Sequence, residues 1–319
     1  MVDIRVETIE KLNMESLYWG GFTWINIEKP TEEVKDYLAQ HFPFHALDLD
    51  DCLSRIQRSK IDEYRDYLFI VLHFPLYNKQ ARVTVSSQVS VFIGENYLIT
   101  LHEGRLKPLT KLFFEVRSEE KSKETYMGNG PAYLLYRIID RLVDYCFPII
   151  NKVGGNIESI EDRIFTESKR ATVKEISGLR RDIISLRRTV SPMRTTISTL
   201  EPKIRRFGQT DLTVYFGDTV DHLDRVWDAL EEYKEVIEGL NSAYDSLASE
   251  KMNEILRVLT ILATIGTVLT VIVGYFGMNI PLPGGSNPGG FTLSWIILLI
   301  VMISIISVML FYFKRKNWL

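Results

Sequence analysis

Asn253, Thr260, Thr267, Gly274 and Met278 recur at intervals of seven and then four, in a run otherwise made mostly of Ile, Leu and Val. At about 100° per residue they fall in one narrow helical stripe, with Thr264 inside it and Leu256, Ala263 and Thr270 on its flanks. Amides, hydroxyls and backbone carbonyls can contact the water shell of a cation, and none of them ionises. From Val258 to Phe313 there is no Asp, Glu, Lys or Arg, a stretch of 56 residues. A bare divalent ion would find no carboxylate there. A hydrated one could pass, and Mg2+ gives up its water most reluctantly. Leu256 and Leu259 would make apolar rings able to close by dewetting. Lipid cannot satisfy such a stripe, so it must face protein or water. A close-packed helix interface fits it too, since small residues and Thr are favoured there. Two helices per chain cannot enclose a pore, so a pore wall requires an oligomer.

The elements that must carry this stripe are apolar runs of bilayer length, about 20 residues. Two are expected, at about 255–275 and 292–313, joined by a Gly- and Pro-rich loop over 276–291 and followed by a basic tail, 314–319. Lys251 and Arg257 flank the first run, and Lys314, Arg315 and Lys316 follow the second. The positive-inside rule then predicts a multi-pass protein of the inner or plasma membrane with both termini cytoplasmic. The opening M-V-D-I-R-V-E places acids where a signal peptide has its apolar core, so no secretion signal is expected. Cys52 and Cys146 would lie in a reducing compartment without a structural disulfide.

Upstream, F-T-W-I-N-I (22–27), Y-L-F-I-V-L-H-F (67–74), V-T-V-S-S-Q-V-S-V-F-I (83–93) and Y-L-I-T-L (97–101) read as strands. Thr31 reads as the N-cap of a helix through E-E-V-K-D-Y-L-A-Q. The expected fold is α+β, with a mixed or antiparallel sheet over residues 1–125. Long helices follow over 126–250, and a membrane part over 251–319. Pro131 opens a helix expected to reach about Ser168. Ile176, Leu179, Ile183, Leu186, Val190, Met193, Ile197 and Leu200 alternate spacings of 3 and 4, an apolar seam for another helix, with Pro192 inside it. Leu223, Trp227, Leu230, Ile237, Tyr244, Ala248, Ile255 and Val258 continue such a seam in one helix expected from about 212 to 275.

Several chemistries are absent from the pattern. There is no G-x-x-x-x-G-K-[ST] loop for ATP, so no nucleotide is expected, and no catalytic constellation stands in residues 1–120. The five histidines show no zinc spacing with cysteine. Pro43 separates His41 from His45, and His222, next to Asp221, could serve as an extra ligand. Arg180–Arg181, Arg187–Arg188 and Arg205–Arg206 alternate with acids and apolar residues, which reads as a solvated helix face and not as a nucleic-acid site.

G-M-N at Gly277–Asn279 ends the first apolar run, K-M-N-E-I-L-R-V-L-T-I-L-A-T precedes it, and the chain finishes Y-F-K-R-K-N-W-L. With W-I-N-I (24–27), L-D-D-C-L-S-R-I-Q-R-S-K (49–60) and Y-F-G-D-T-V-D-H (215–222), nearly the whole chain resembles the CorA family of divalent-cation transporters. The resemblance implies a homopentamer, a cytoplasmic funnel and Mg2+ influx. Asn279 would form the amide ring at the outer mouth, with Gly277 giving backbone room and Met278 packing the turn. Asn253, Leu256, Leu259, Thr260, Ala263, Thr267, Thr270 and Gly274 would line the pore. It also implies regulatory Mg2+ between subunits, on Asp51 with Asp50 beside it and on Asp218 with Asp221 one turn on. Carboxylates brought together repel, Mg2+ would bridge them, and its loss would let the subunits part. Phe276 before G-M-N and an acid-free outer loop depart from the family's habit, and the missing acids weaken cation attraction at the mouth. A Zn2+, Co2+ or Ni2+ transporter of the same fold, proton-linked or not, is therefore an alternative. So is a membrane-tethered coiled-coil sensor without flux.

Overall fold

The structure, a computed structural model, describes residues 12–54, 57–78, 83–164, 170–208, 210–278, 288–316 and 318, the side chains of 170–172 and 288–295 excepted. Six strands form one mixed sheet. They are β1 (Met14–Trp19), β2 (Phe22–Glu28), β3 (Lys60–Glu63), β4 (Tyr67–Asn78), β5 (Val83–Gly94) and β6 (Tyr97–His102), in the order β1-β2-β6-β5-β4-β3. Only β2 and β6 pair parallel; Trp24 faces Leu98 and Asn26 faces Thr100 in that register. The four apolar runs of the sequence are thus strands, and the two short edge strands, β1 and β3, are additions to that reading.

Strands covered on both faces read as unbroken apolar runs. In β4, Tyr67, Phe69 and Val71 point to one face and Leu68, Ile70, Leu72 and Phe74 to the other, all buried. The first face packs under α1 (Glu32–His41) and α2 (Ala46–Leu53) through Val34, Leu38 and Leu49. The second is covered by α3 (Lys107–Ser118), where Phe113 meets Trp24 edge-on at 4.8 Å, and by α5 (Pro131–Asp144), α6 (Cys146–Ile164) and α7 (Arg170–Ser198). Between α3 and α5 lies α4 (Glu120–Met127). Thr31 is the N-cap of α1, but its hydroxyl reaches Glu33 and not a backbone amide.

The helix expected from Pro131 to about Ser168 is two helices that break at Tyr145. Pro148 has no amide to donate to the Asp144 carbonyl, so the ladder fails there. Residues 165–168 lie outside the described residues. All eight seam positions from Ile176 to Leu200 are buried, and α7 continues through Pro192. Its seam rests on β4, β5 and α6, so most of its partner is sheet rather than another long helix. After α8 (Glu201–Ile204) and a 3-10 turn (Arg205–Phe207), α9 runs as one helix, Thr213–Phe276. Phe216, Leu223, Val226, Leu230, Ile237 and Leu240 are buried along it. The seam's burial ends there: Tyr244 is half-buried, and Ala248, Ile255 and Val258 are exposed.

The chain forms two compact units, Met1–Asn241 and Ser242–Leu319. The second holds the end of α9 and α10 (Pro288–Arg315). Both helices are long and apolar enough to cross a membrane.

Candidate cation-handling site

In the second unit the stripe sits where periodicity places it. Asn253, Leu256, Leu259, Thr260, Ala263, Thr267, Thr270 and Gly274 are all exposed. Ile261 is buried, and Ile265, Val268 and Ile272 on its face are partly covered, roughly 140° round the helix from the stripe. The polar face is therefore left uncovered by this chain, together with apolar neighbours such as Leu262, Val271 and Val273. Three hydroxyls donate back along the helix: Thr260 to the Leu256 carbonyl at 2.7 Å, Thr264 to Thr260 at 2.6 Å and Thr270 to Gly266 at 2.8 Å. Their protons are occupied inward, which leaves oxygen lone pairs outward for the hydrogens of a hydrated cation.

α9 stops at Phe276. The Gly277 amide still bonds the Val273 carbonyl at 2.8 Å, and a Cβ at Gly277 would stand 3.1 Å from that oxygen. The glycine therefore permits a tight last turn. Met278 is exposed, its amide directed to the Tyr275 carbonyl at 3.3 Å. Asn279 and most of the loop after it lie outside the described residues.

In the first unit, α2 presents three acids in different settings. Asp48 is buried and accepts hydrogen bonds from Tyr67 (3.0 Å) and Tyr64 (3.2 Å), and burial raises its carboxyl above the usual range. It anchors the helix that displays the other two. Asp50 is exposed and pairs with Lys35 at 2.5 Å. Asp51 is mostly covered; Lys60 lies 2.7 Å from its carboxylate and the Gln57 amide donates to it at 2.6 Å. Lys60 also holds Asp62 at 2.5 Å, so an ammonium already occupies the space between two carboxylates.

Asp218 lies elsewhere, on an exposed turn of α9, 3.9 Å from the His222 ring. The described residues bring three ligating groups within 4.8 Å of one another: Asp140 and Asp144 of α5 and His222 of α9. His222 Nδ1 is buried without a hydrogen-bond partner and stands 3.3 Å from Asp144. Burial, then the neighbouring Asp144 charge, pushes the Asp140 carboxyl above its ordinary range. Asp221 is exposed and outside this group. Asp140 and Asp144 were not singled out from the sequence. Their spacing of four on one helix face was the available signal; their approach to α9 is tertiary. An ion here would find carboxylate oxygen and one imidazole nitrogen, a donor set that suits Mg2+ through the acids and Co2+, Ni2+ or Zn2+ through the ring.

A family model described as "CorA-like Mg2+ transporter protein" matches residues 19–315. The cobalt/magnesium transport protein CorA of Thermotoga maritima is 33% identical over 93% of this chain and 83% of its own length. The cobalt/magnesium transport protein CorA of Methanocaldococcus jannaschii is 25% identical over 93% of this chain and 91% of its own. The complete structure of the CorA magnesium transporter from Methanocaldococcus jannaschii superposes with a TM-score of 0.81 at 24% identity, over 95% of this chain and 94% of that one, a likeness of fold.

Proposed function

The chain belongs to the CorA family of divalent-cation transporters, whose members are transporters or channels and not enzymes, and from that premise we propose that it conducts hydrated Mg2+ as a homopentamer. Five copies of α9 would enclose the pore. Asn253, Leu256, Leu259, Thr260, Ala263, Thr267, Thr270 and Gly274 form the wall, Leu256 and Leu259 the dewetting constriction, and Gly277, Met278 and Asn279 the outer ring. The observation that carries this reading is the uncharged polar stripe left exposed on α9 while the opposite face is partly covered. Residues 1–125 and 126–250 form the cytoplasmic α+β domain and stalk, residues 251–319 the membrane part, and both termini are cytoplasmic. The membrane potential drives entry with about 4.6 kcal/mol per divalent ion per 100 mV, twice the single-charge figure.

Cytosolic Mg2+ closes the pore by bridging carboxylates between subunits. Asp218, with Asp144, Asp140 and His222 around it, is one half of such a site. Asp51, with Asp50 beside it, is the other, and binding there requires Lys60 to swing away from Asp51. The imidazole in the first group favours a second reading, in which Co2+ or Zn2+ is handled as well.

Uptake into proteoliposomes with Mg2+-, Co2+- and Zn2+-sensitive dyes tests the reading. Potential-driven Mg2+ entry without a pH gradient is the expected result; no flux of any ion from a well-formed oligomer would end it in favour of a sensor. Asn279→Ala should abolish flux with the oligomer intact, and normal flux in that variant removes the amide ring. Replacing Asp51 and Asp218 together by Ala should leave the pore active at millimolar internal Mg2+. Unchanged inhibition would place the sensor elsewhere.

A further inference from the structure

We propose that a cleft in the first unit is a binding site for a phosphate-bearing anion. It has a volume of about 930 Å³ and lies among the segment 57–59, strands β4 and β5, α7 and the first half of α9. Arg58, Arg187 and Arg188 line it, and no Asp or Glu does among the described residues. In a chain with 41 acids and 38 bases, a wall with three guanidiniums and no carboxylate is a local excess of positive charge.

The three arginines differ in a way that suits a ligand. Arg187 is fixed from behind, paired with Glu231 and lying 5.1 Å over the Trp227 ring. Arg58 and Arg188 have no acidic or hydrogen-bonding partner among the described residues. Like charges gathered in a cleft repel, and an anion relieves that repulsion. Ser59 Oγ is buried with no hydrogen-bond partner, an unmet donor that a ligand oxygen would satisfy. His73 also faces the cleft; burial holds its imidazole below the ordinary range, so it enters as a neutral donor or acceptor. Guanidinium forks match phosphate oxygens in pairs, and the two without an acidic partner, Arg58 and Arg188, exceed what a single carboxylate needs. The volume is of small-molecule size, and Ile184, Pro192 and Trp227 give it an apolar side, as in sites for phosphorylated metabolites with an organic part. This is recognition by side chains, unlike a Gly-rich phosphate loop, and no hydrolysis is implied. Gln57 lines the cleft while donating to Asp51, so an occupant would touch the chain beside that acid.

The test is calorimetric titration of the full-length protein in detergent, with EDTA present so that no metal bridges an anion to the acids. The probes are ATP and inorganic tripolyphosphate. Saturable binding is expected, weakened at least about tenfold by Arg58→Glu and by Arg188→Ala, as for loss of one charge-assisted pair. Tighter binding of ATP that Trp227→Leu abolishes would identify an organic phosphate. Equal binding of both would identify the inorganic source. No saturable heat with either probe up to about 5 mM, or affinity unchanged in the Arg58→Glu/Arg188→Ala protein, overturns the proposal. Elution volume and thermal midpoint establish that each variant is folded; Arg58 and Arg188 are both exposed, and Arg58 stands outside any helix or strand, so its replacement keeps the test available if Arg188→Ala is unstable. None of these outcomes depends on ion flux.

Discussion

His102 shows how one buried group ties the sheet to pH. Its Nδ1 accepts from the Gly104 amide at 3.0 Å, and its Nε2 donates to Asn26 Oδ1 at 3.0 Å. That oxygen also accepts from Thr100 (2.9 Å), whose hydroxyl accepts from the Trp24 indole (3.1 Å). The network pins β2 to β6 and requires a neutral ring, because Nδ1 has no room for a second proton. Burial lowers the His102 pKa from 6.5 to about 4. A depressed folded pKa means that the unfolded chain takes up the proton first. The contribution is complete above pH 6.5, shrinks as pH falls toward 4 and changes no further below that. Its size is about 3 kcal/mol, from 1.36 kcal/mol per pKa unit. Urea midpoints of the full-length protein in detergent should therefore fall between pH 7 and pH 4.5 by more in the native protein than in His102→Gln. Equal slopes in the two proteins would assign the acid sensitivity to other groups.

At the scale of elements, α7 is the clearest case of a helix whose stability comes from one face. Leu186 is fully buried against the sheet side, whereas Val173 on the same helix is exposed. Leu186→Ala should cost roughly 2–5 kcal/mol of unfolding free energy, and Val173→Ala less than about 0.5 kcal/mol, both read from denaturant midpoints. Similar losses at the two positions would mean that α7 is not held by its seam. The 3-4 spacing made this face legible from the sequence, since helical periodicity is a local property. What it packs on was not legible, because a sheet and a helix accept the same stripe. β1 and β3 escaped for a related reason: short edge strands carry little alternation. The break at Tyr145 was marked by Pro148 but masked by apolar periodicity running through it. The exposed polar stripe of α9 was readable for the same reason as the α7 seam. The approach of Asp140 and Asp144 to His222 was not, since it depends on how α5 meets α9. Nor could spacing foretell that Lys60 would occupy Asp51.

The whole molecule must answer why α9 leaves hydroxyl oxygens, a glycine and an amide exposed on one face. Lipid offers the outward lone pairs and the amide no polar partner, and the proposed arrangement, copies of the same helix around a wet axis, would supply one. Cysteine substitution with a charged thiol reagent separates that arrangement from dry helix packing. The native thiols can stay in place with the unsubstituted protein as the control, because burial raises both Cys146 and Cys52 above the usual thiol range and so lowers their thiolate fraction. Thr267→Cys should react from the aqueous phase and lose flux on modification. Ile265→Cys and Ile272→Cys, on the partly covered face, should react slowly and keep their flux. Reaction at Thr267→Cys with reagent applied from the cytosolic side should also slow when internal Mg2+ is high, because the Leu256 and Leu259 rings between that side and Thr267 would close by dewetting. Equal reactivity on both faces would place water all round the helix and exclude a pore wall. No reaction at Thr267→Cys in a protein that still conducts would move the ion path off this stripe.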